Sequence, residues 1–235
     1  MMITFLVIAI LTFTFLIYSI FPTYYHKLIN PCIIRHTKEH NKIMLTFDDG
    51  PDKRYTDLLL DVLDEHHVKA TFFVVAKNAQ KNPEIIKRMQ LSHHTIGFHS
   101  LEHKNAIFFH PRYTKKDFQD GLTILNHLDC NTTFYRPPWG HMNLFSMHFM
   151  KKHNLSIILW DVMAQDWKKD ATVQSIAAKL ISRTKHNSII CLHDAGENSG
   201  GAKNAPLKTI EALNIAIPLL KEKGYQFVTP EGILT

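Results

Sequence analysis

Cysteine is scarce in this 235-residue sequence: Cys32, Cys130 and Cys191 are scattered along it. Three is too few for a disulfide framework, and no CxxC pair suggests a zinc knuckle. They read as small buried hydrophobes. Also missing is any run of five basic residues, although the net charge is +6. With neither an RNP-like aromatic motif nor zinc-finger spacing, that charge reads as a solvated surface tuned to an anionic envelope, and no nucleic-acid partner is expected. There is no internal repeat and no low-complexity tract. The Gly196–Gly201 loop lacks the GK[ST] ending of a phosphate cradle. The length fits one domain that buries its core without staples, plus an appendage, and a monomer is expected.

What is present first is a long apolar run. Ile3 to Phe21 carries no charged side chain. As a helix it would span about 28 Å, close to the hydrocarbon thickness of a bilayer. Tyr18, Tyr24 and Tyr25 would sit near one interface, and Pro22 marks the exit. A cleaved signal peptide wants a basic start and a small-x-small site. Met1-Met2 and Ser19-Ile20-Phe21 supply neither. The expected organisation is an uncleaved single-pass anchor over residues 1–22, with residues 3–21 in the membrane, a linker over 23–40, and one catalytic domain over 41–235. The domain is expected to work without the helix.

From Asn41 onward, apolar runs alternate with helical patterns. Strands are expected at Lys42–Phe47, Ala70–Val75, Thr95–His99, Thr133–Arg136, Ser156–Trp160, Ser188–His193 and Gln226–Thr229. Between them, Tyr55, Leu58, Leu59, Val62 and Leu63 recur at helical spacing. Pro83–Met89, Thr114–Leu128, Leu144–Lys152, Thr172–Thr184 (capped by Thr172) and Pro206–Lys223 also read as helices. Repeated βα units imply a parallel sheet covered by helices, with any site at the strands' C-terminal ends.

The polar residues gather there. Asp48 and Asp49 end one strand, His99 another with His103 four residues on, Arg136 a third, and His193 a fourth. Asp161 and Asp166 follow the Trp160 strand. His99 and His103 bring two imidazoles to one side of a helical turn, and a neighbouring carboxylate completes a His₂Asp set with an open fourth position, the pattern of a catalytic zinc site. In Asp48-Asp49, adjacent side chains point in different directions. One can hold a metal while the other takes a proton from water.

These segments resemble the NodB-homology polysaccharide deacetylases, carbohydrate esterase family 4. Thr46–Pro51 looks like the family's TFDDGP motif, and His99–His103 matches its H-S/T-x-x-H motif. Arg136–Gly140 resembles R-x-P-aromatic-G, Asp166-Trp167 ends its D-x-x-D-W motif, and Leu192-His193-Asp194 matches L-x-H-D in part. The resemblance implies a distorted (β/α) barrel with fewer than eight complete units. It implies Asp48 as catalytic base, Asp49, His99 and His103 as ligands of a divalent metal (Zn²⁺, with Co²⁺ possible), and Arg136 as the residue orienting Asp48. It further implies the Trp139 N–H at the oxyanion, His193 as catalytic acid tuned by Asp166, and Ser100 bracing the metal loop.

The implied substrate is a carbohydrate polymer that loses N- or O-acetyl groups, such as peptidoglycan or chitin-like oligomers. Alternatives are deacylation of a lipid-linked sugar and a non-catalytic carbohydrate-binding protein. Two positions depart from the pattern: Met163 replaces the first Asp of D-x-x-D-W, and Cys191 the Leu of L-x-H. Asp161, two residues before Met163, is expected to stand in for the missing carboxylate beside Arg136. Lys27, Arg35, Lys38 and Lys42 follow the apolar run, which by charge alone puts the domain in the cytoplasm. Long domains translocate regardless of charge, and the resemblance implies an extracytoplasmic one.

Overall fold

The computed structural model describes residues 1–232. Strand β1 (Lys42–Asp48) is buried from Ile43 onward, and β2 (Thr71–Val75) is buried throughout. Such strands must be covered on both faces, which is why they are read as continuous apolar runs. Helices α3 (Thr56–Glu65), α4 (Ala76–Lys81) and α5 (Pro83–Leu91) flank β2 in the chain and lead to β3 (Thr95–Ser100). The long α6 (Pro111–His127) leads to β4 (Phe134–Tyr135), and α7 (Ser146–Lys152) to β5 (Ser156–Ile157). Then come β6 (Val162–Met163), α8 (Val173–Arg183), β7 (Ile189–His193), α9 (Ala205–Glu222) and β8 (Gln226–Phe227).

The strands pair in parallel in the order β5-β4-β3-β2-β1-β7-β6, with β8 on β1. The two outer strands are consecutive in sequence, so the Ser156–Met163 segment joins the ends of the curled sheet. No helix lies between β5 and β6, and the distorted barrel therefore has fewer than eight complete βα units. The expected cap on α8 is present: the Thr172 hydroxyl accepts from the Ser175 N–H and the Ser175 hydroxyl from the Thr172 N–H. On α3, Leu60 is buried and Leu58 exposed, a shift of the expected stripe. Helix α4 has no apolar periodicity long enough to announce it.

The N-terminal region differs most from expectation. Helices α1 (Met2–Phe15) and α2 (Phe21–Leu28) join through a π-helical turn at Leu16–Ile20 into one 27-residue helix. That helix is long and apolar enough to cross a membrane by length and composition. Residues 1–17 are exposed, but Ser19, Pro22 and Thr23 are buried against the domain. Residues 23–40 are therefore not a free linker. Ile34 bridges to Ile158, His36 bridges to Ser188, and Ile33 belongs to the main core. Ile33→Ala should cost roughly 2–5 kcal/mol of stability, the usual range for emptying a buried Ile site. This would appear as a lower denaturant midpoint of the whole chain in detergent, whereas an unpacked linker would leave the midpoint unchanged.

Candidate active site

Arg136 leaves the end of β4 and is wholly buried inside the barrel, with 0 % exposure. Its guanidinium donates from Nη1 to Asp48 Oδ1 at 2.7 Å and to Thr46 Oγ1 at 2.6 Å. Nε donates to the Ile158 carbonyl at 3.0 Å and Nη2 to the Leu159 carbonyl at 3.2 Å. The Phe73 ring lies 4.2 Å from its central carbon and the Trp160 ring 5.4 Å. Asp48, at the end of β1, is thus fixed on one side by a planar cation. On the other, the Cys191 thiol donates to Oδ2 at 3.4 Å. Cys191 was expected to be only a small apolar filler, but its thiol touches the candidate base.

Asp49 turns out of the strand with φ of +79°. Left-handed geometry is uncommon for residues other than Gly, though Asp tolerates it, and it turns this carboxylate away from its neighbour's. Its Oδ1 lies 2.8 Å from His103 Nε2 and 3.3 Å from His99 Nε2. The His99 Nδ1–H donates to the Arg136 carbonyl at 2.6 Å. A carbonyl only accepts, so the Nε2 of a neutral His99 carries a lone pair toward Asp49, the usual orientation of a metal-binding histidine. The Nδ1 of His103 is buried without a partner. The three ligand atoms of Asp49, His99 and His103 lie within 4.8 Å of one another, a separation that fits a shared cation. Burial alone would raise the Asp49 carboxyl, but the adjoining imidazoles hold it well below the usual range.

The loop carrying His103 is braced from within. The His103 N–H donates to Ser100 Oγ at 2.7 Å, and the Leu101 N–H to the buried Asp117 of α6 at 2.9 Å. Asp194 is equally buried and accepts from the Thr56 hydroxyl at 2.7 Å. A Cβ at Gly50 would overlap its carboxylate, so Gly at the Asp-Asp-Gly turn lets that turn close over Asp194. Burial pushes both Asp117 and Asp194 up to about 7. The sequence reading gave neither a role; the only signal was the Asp after His193 in the last motif.

His193 ends β7. Its backbone N–H donates to Asp166 Oδ2 at 2.8 Å and its ring Nδ1–H to Oδ1 at 3.0 Å, while Thr209 donates to Oδ2 at 3.0 Å. Nε2 is then the ring nitrogen left for other partners. Burial works against the imidazolium, but the Asp166 carboxylate, reinforced by Asp49 and Asp48, raises His193 to about 10. The Trp167 ring meets the imidazole edge-on at 5.2 Å.

Asp161 does not stand beside Arg136. Its carboxylate accepts from the Ser188 hydroxyl at 2.8 Å and the Ile189 N–H at 2.6 Å. Val162 pairs with Ile190, so Asp161 falls at the start of β7. At about 3.3 Å per residue that is roughly 13 Å from the His193 end. The charge of Arg136 is instead met by Asp48 and the Ile158 and Leu159 carbonyls.

Two clefts meet at Asp49 and His103. One, of about 360 Å³, is lined by Asp48, His99, Trp139, Met163, Trp167 and His193 among others, and by Lys27 of the N-terminal helix. The other, of about 640 Å³, runs past Asp52, Arg54, Lys77 and Glu102. Together they form a groove across the barrel rim, lined by both polar and apolar side chains. Trp139, 43 % exposed with φ of +54°, sits at its edge with its ring 4.5 Å from His103.

Removing Arg136 would leave the Asp48 carboxylate buried without its cation. Arg136→Met should therefore destabilise the chain by about 3–5 kcal/mol. Adding Asp48→Asn should recover part of that loss in chemical denaturation, and equal stability of the single and double variants would argue that the pair is not coupled.

Residues 35–158 match the family described as polysaccharide deacetylase. A peptidoglycan-N-acetylglucosamine deacetylase of Bacillus cereus is 34 % identical over 189 residues, covering 80 % of this chain and 66 % of that protein. A second one from the same organism is 31 % identical, covering 82 % of this chain and 87 % of its own length. A chitooligosaccharide deacetylase of Azorhizobium caulinodans is 27 % identical, with 81 % and 93 % covered. Among solved structures, the Bc1960 peptidoglycan N-acetylglucosamine deacetylase superposes with a TM-score of 0.78 at 31 % identity, covering 87 % of this chain and 94 % of that one. By sequence, by fold and by the rim that the fold assembles, the chain belongs to the polysaccharide deacetylase family.

Proposed function

We propose that the protein is a divalent-metal-dependent hydrolase that removes acetyl groups from N-acetylglucosamine units of a cell-envelope glycan, and that its N-terminal helix holds it in a membrane. One observation carries the catalytic reading. Asp48 and His193 are pinned from behind by opposite charges, Arg136 and Asp166, and line one cleft beside the converged Asp49, His99 and His103.

In that reading Asp49, His99 and His103 hold the metal. Two imidazoles and a carboxylate suit zinc, with cobalt a workable substitute. When bound, such a cation supplies Lewis-acid polarisation of the acetyl carbonyl and acidifies water. Asp48, held by Arg136, takes a proton from the attacking water. The Trp139 N–H donates to the carbonyl oxygen as negative charge builds there. His193 donates its proton to the nitrogen, because an amine leaves poorly unless protonated. Asp166 stabilises the imidazolium before transfer, and Ser100 keeps His103 at its spacing from His99.

The relatives' printed substrates support a peptidoglycan- or chitin-like glycan and an extracytoplasmic domain, and the groove on both sides of Asp49 suits a chain longer than one sugar. The membrane reading is supported by the exposed start of the helix. Residues 1–17 are exposed, about 25 Å of helix and at the short end of what spans a bilayer, although Phe15 among them already touches the domain. There Phe108 stacks on Phe15 at 6.4 Å and is 77 % exposed, and the Leu144 N–H donates to the Tyr18 carbonyl while its side chain is 55 % exposed. These apolar tips suit a domain seated on the lipid surface. A lipid-linked saccharide is a second reading, favoured by Lys27, through which the helix itself lines the cleft.

The test is acetate release by salt-washed membranes carrying the protein. A chelator should abolish release from N-acetylglucosamine oligomers and peptidoglycan, and zinc or cobalt should restore it. Undiminished release from metal-free protein would refute the metal assignment, and activity confined to a lipid-linked sugar would favour the second reading.

The pH profile tests the acid. The active form of His193 is protonated, so activity falls as pH rises through its pKa. Asp166 raises that pKa, so Asp166→Asn should move the alkaline limb of kcat/KM to lower pH by roughly one unit, equivalent to about 1.4 kcal/mol between protonation states. Because a bound zinc would bring a water that also titrates near 7, His193→Ala must first identify which limb belongs to the imidazole. An unmoved limb would remove Asp166 from the tuning role.

A further inference from the structure

The Trp139 turn is poorly supported by its own side chain. Trp139 is a bulky residue in left-handed backbone, and its ring is partly in solvent. A residue held there persists only where its surroundings over-determine it. Two hydrogen bonds close the turn locally, from the Gly140 N–H to the Pro137 carbonyl at 2.8 Å and from the His141 N–H to the Pro138 carbonyl at 2.9 Å. A third comes from outside the barrel: Lys27 Nζ, on the last turn of α2, donates to the Trp139 carbonyl at 2.8 Å.

The surroundings are shaped to let Lys27 in. A Cβ at Gly140 would lie 2.5 Å from Lys27 Cε and 3.6 Å from the Trp160 ring, so the stem of Lys27 occupies the space that a side chain at Gly140 would need. Its helix is docked one turn earlier, where the Thr23 hydroxyl donates to the Met142 carbonyl at 2.6 Å and accepts from the Met142 N–H at 2.9 Å. The end of the helix is held by Arg35, which donates to the Lys27 carbonyl at 2.8 Å and to the His26 carbonyl at 2.5 Å. The turn itself and Met142 just after it are thereby tied to the helix, and Lys27 is the helix residue that reaches the catalytic cleft.

We propose that the N-terminal helix is part of the catalytic apparatus, with Lys27 as a positioning residue that fixes the Trp139 carbonyl and hence the left-handed turn presenting the Trp139 N–H. This rests on the reading of Trp139 given under the proposed function. It reverses the expectation that the domain works without the helix: a chain beginning at Asn41 would lack Lys27, Thr23 and Arg35 together. An interaction that orients a donor for developing charge acts on the transition state more than on substrate binding, so its loss lowers kcat and leaves KM nearly unchanged.

The test uses the full chain, metal-loaded, in detergent or vesicles. Lys27→Met should lower kcat about tenfold with KM within twofold, and Lys27→Arg, which keeps a donor, should recover most of the loss. Hydrogen exchange supplies a readout that needs no substrate: the amides of residues 139–142 should exchange faster in Lys27→Met, while those of the β1 and β7 strands keep their protection. Wild-type kcat in Lys27→Met would overturn the proposal, as would unchanged exchange at 139–142. A raised KM at constant kcat would overturn it in favour of direct substrate binding by Lys27. If the wild-type chain itself releases no acetate, the deacetylase reading fails, and the exchange comparison alone decides whether Lys27 holds the turn.

Discussion

One buried guanidinium ties the site to the fold. Arg136 meets Asp48 and Thr46 on β1, takes up the Ile158 and Leu159 carbonyls on the segment that closes the barrel, and gives its own carbonyl to His99 Nδ1. The candidate base, one histidine of the candidate metal set and the closure of the sheet therefore share a single residue. Buried ion pairs are weak contributors to net stability, because desolvating two charges offsets most of their attraction. Their value here is geometric. A planar fork with fixed donor directions sets the rotation of the Asp48 carboxylate, and a point charge on a flexible stem would not.

The same economy of means separates the two halves of the chemistry. Asp48 is backed by a cation and His193 by an anion, although both line one cleft and lie on adjacent strands in direct register. Asp48 pairs with His193 across the β1–β7 ladder, so the sheet fixes the spacing of the candidate acid and base, with an opposite charge behind each.

The strand ends were legible because apolar runs stop where ionisable residues begin, and Asp48, Asp49, His99, Arg136 and His193 all come together at one rim. Asp161 misled for a physical reason. The run from Ser156 to Trp160 reads as one strand with a rim after it. The chain pairs with β4 for only two residues, shifts along the barrel, and starts a second strand at Val162. Residues after Trp160 consequently return to the start of β7, and the rim comes only at Met163 to Asp166. Cys191 misled differently: its apolar neighbours marked the strand, but the side-chain period that points its thiol toward Asp48 is not visible without knowing which face is the barrel interior.

Residues 23–40 were misread because charge and the absence of periodicity resemble a linker, whereas tertiary contacts fill that segment's hydrogen bonds. The difference changes what an anchor does. A flexible tether of about 18 residues would let the domain wander over an r.m.s. distance of roughly 25 Å. Docking through Ser19, Thr23, Lys27 and Ile34 removes that freedom. In the membrane-held reading, the cleft is then set at a fixed height. The rise from Phe15, where the helix meets the apolar tip at Phe108, to Lys27 at the cleft is about 18 Å at 1.5 Å per residue. In that reading a groove fixed at this height would meet glycan lying against the bilayer and not strands deeper in a wall, so the helix would select substrate by position while its last turn holds the Trp139 carbonyl.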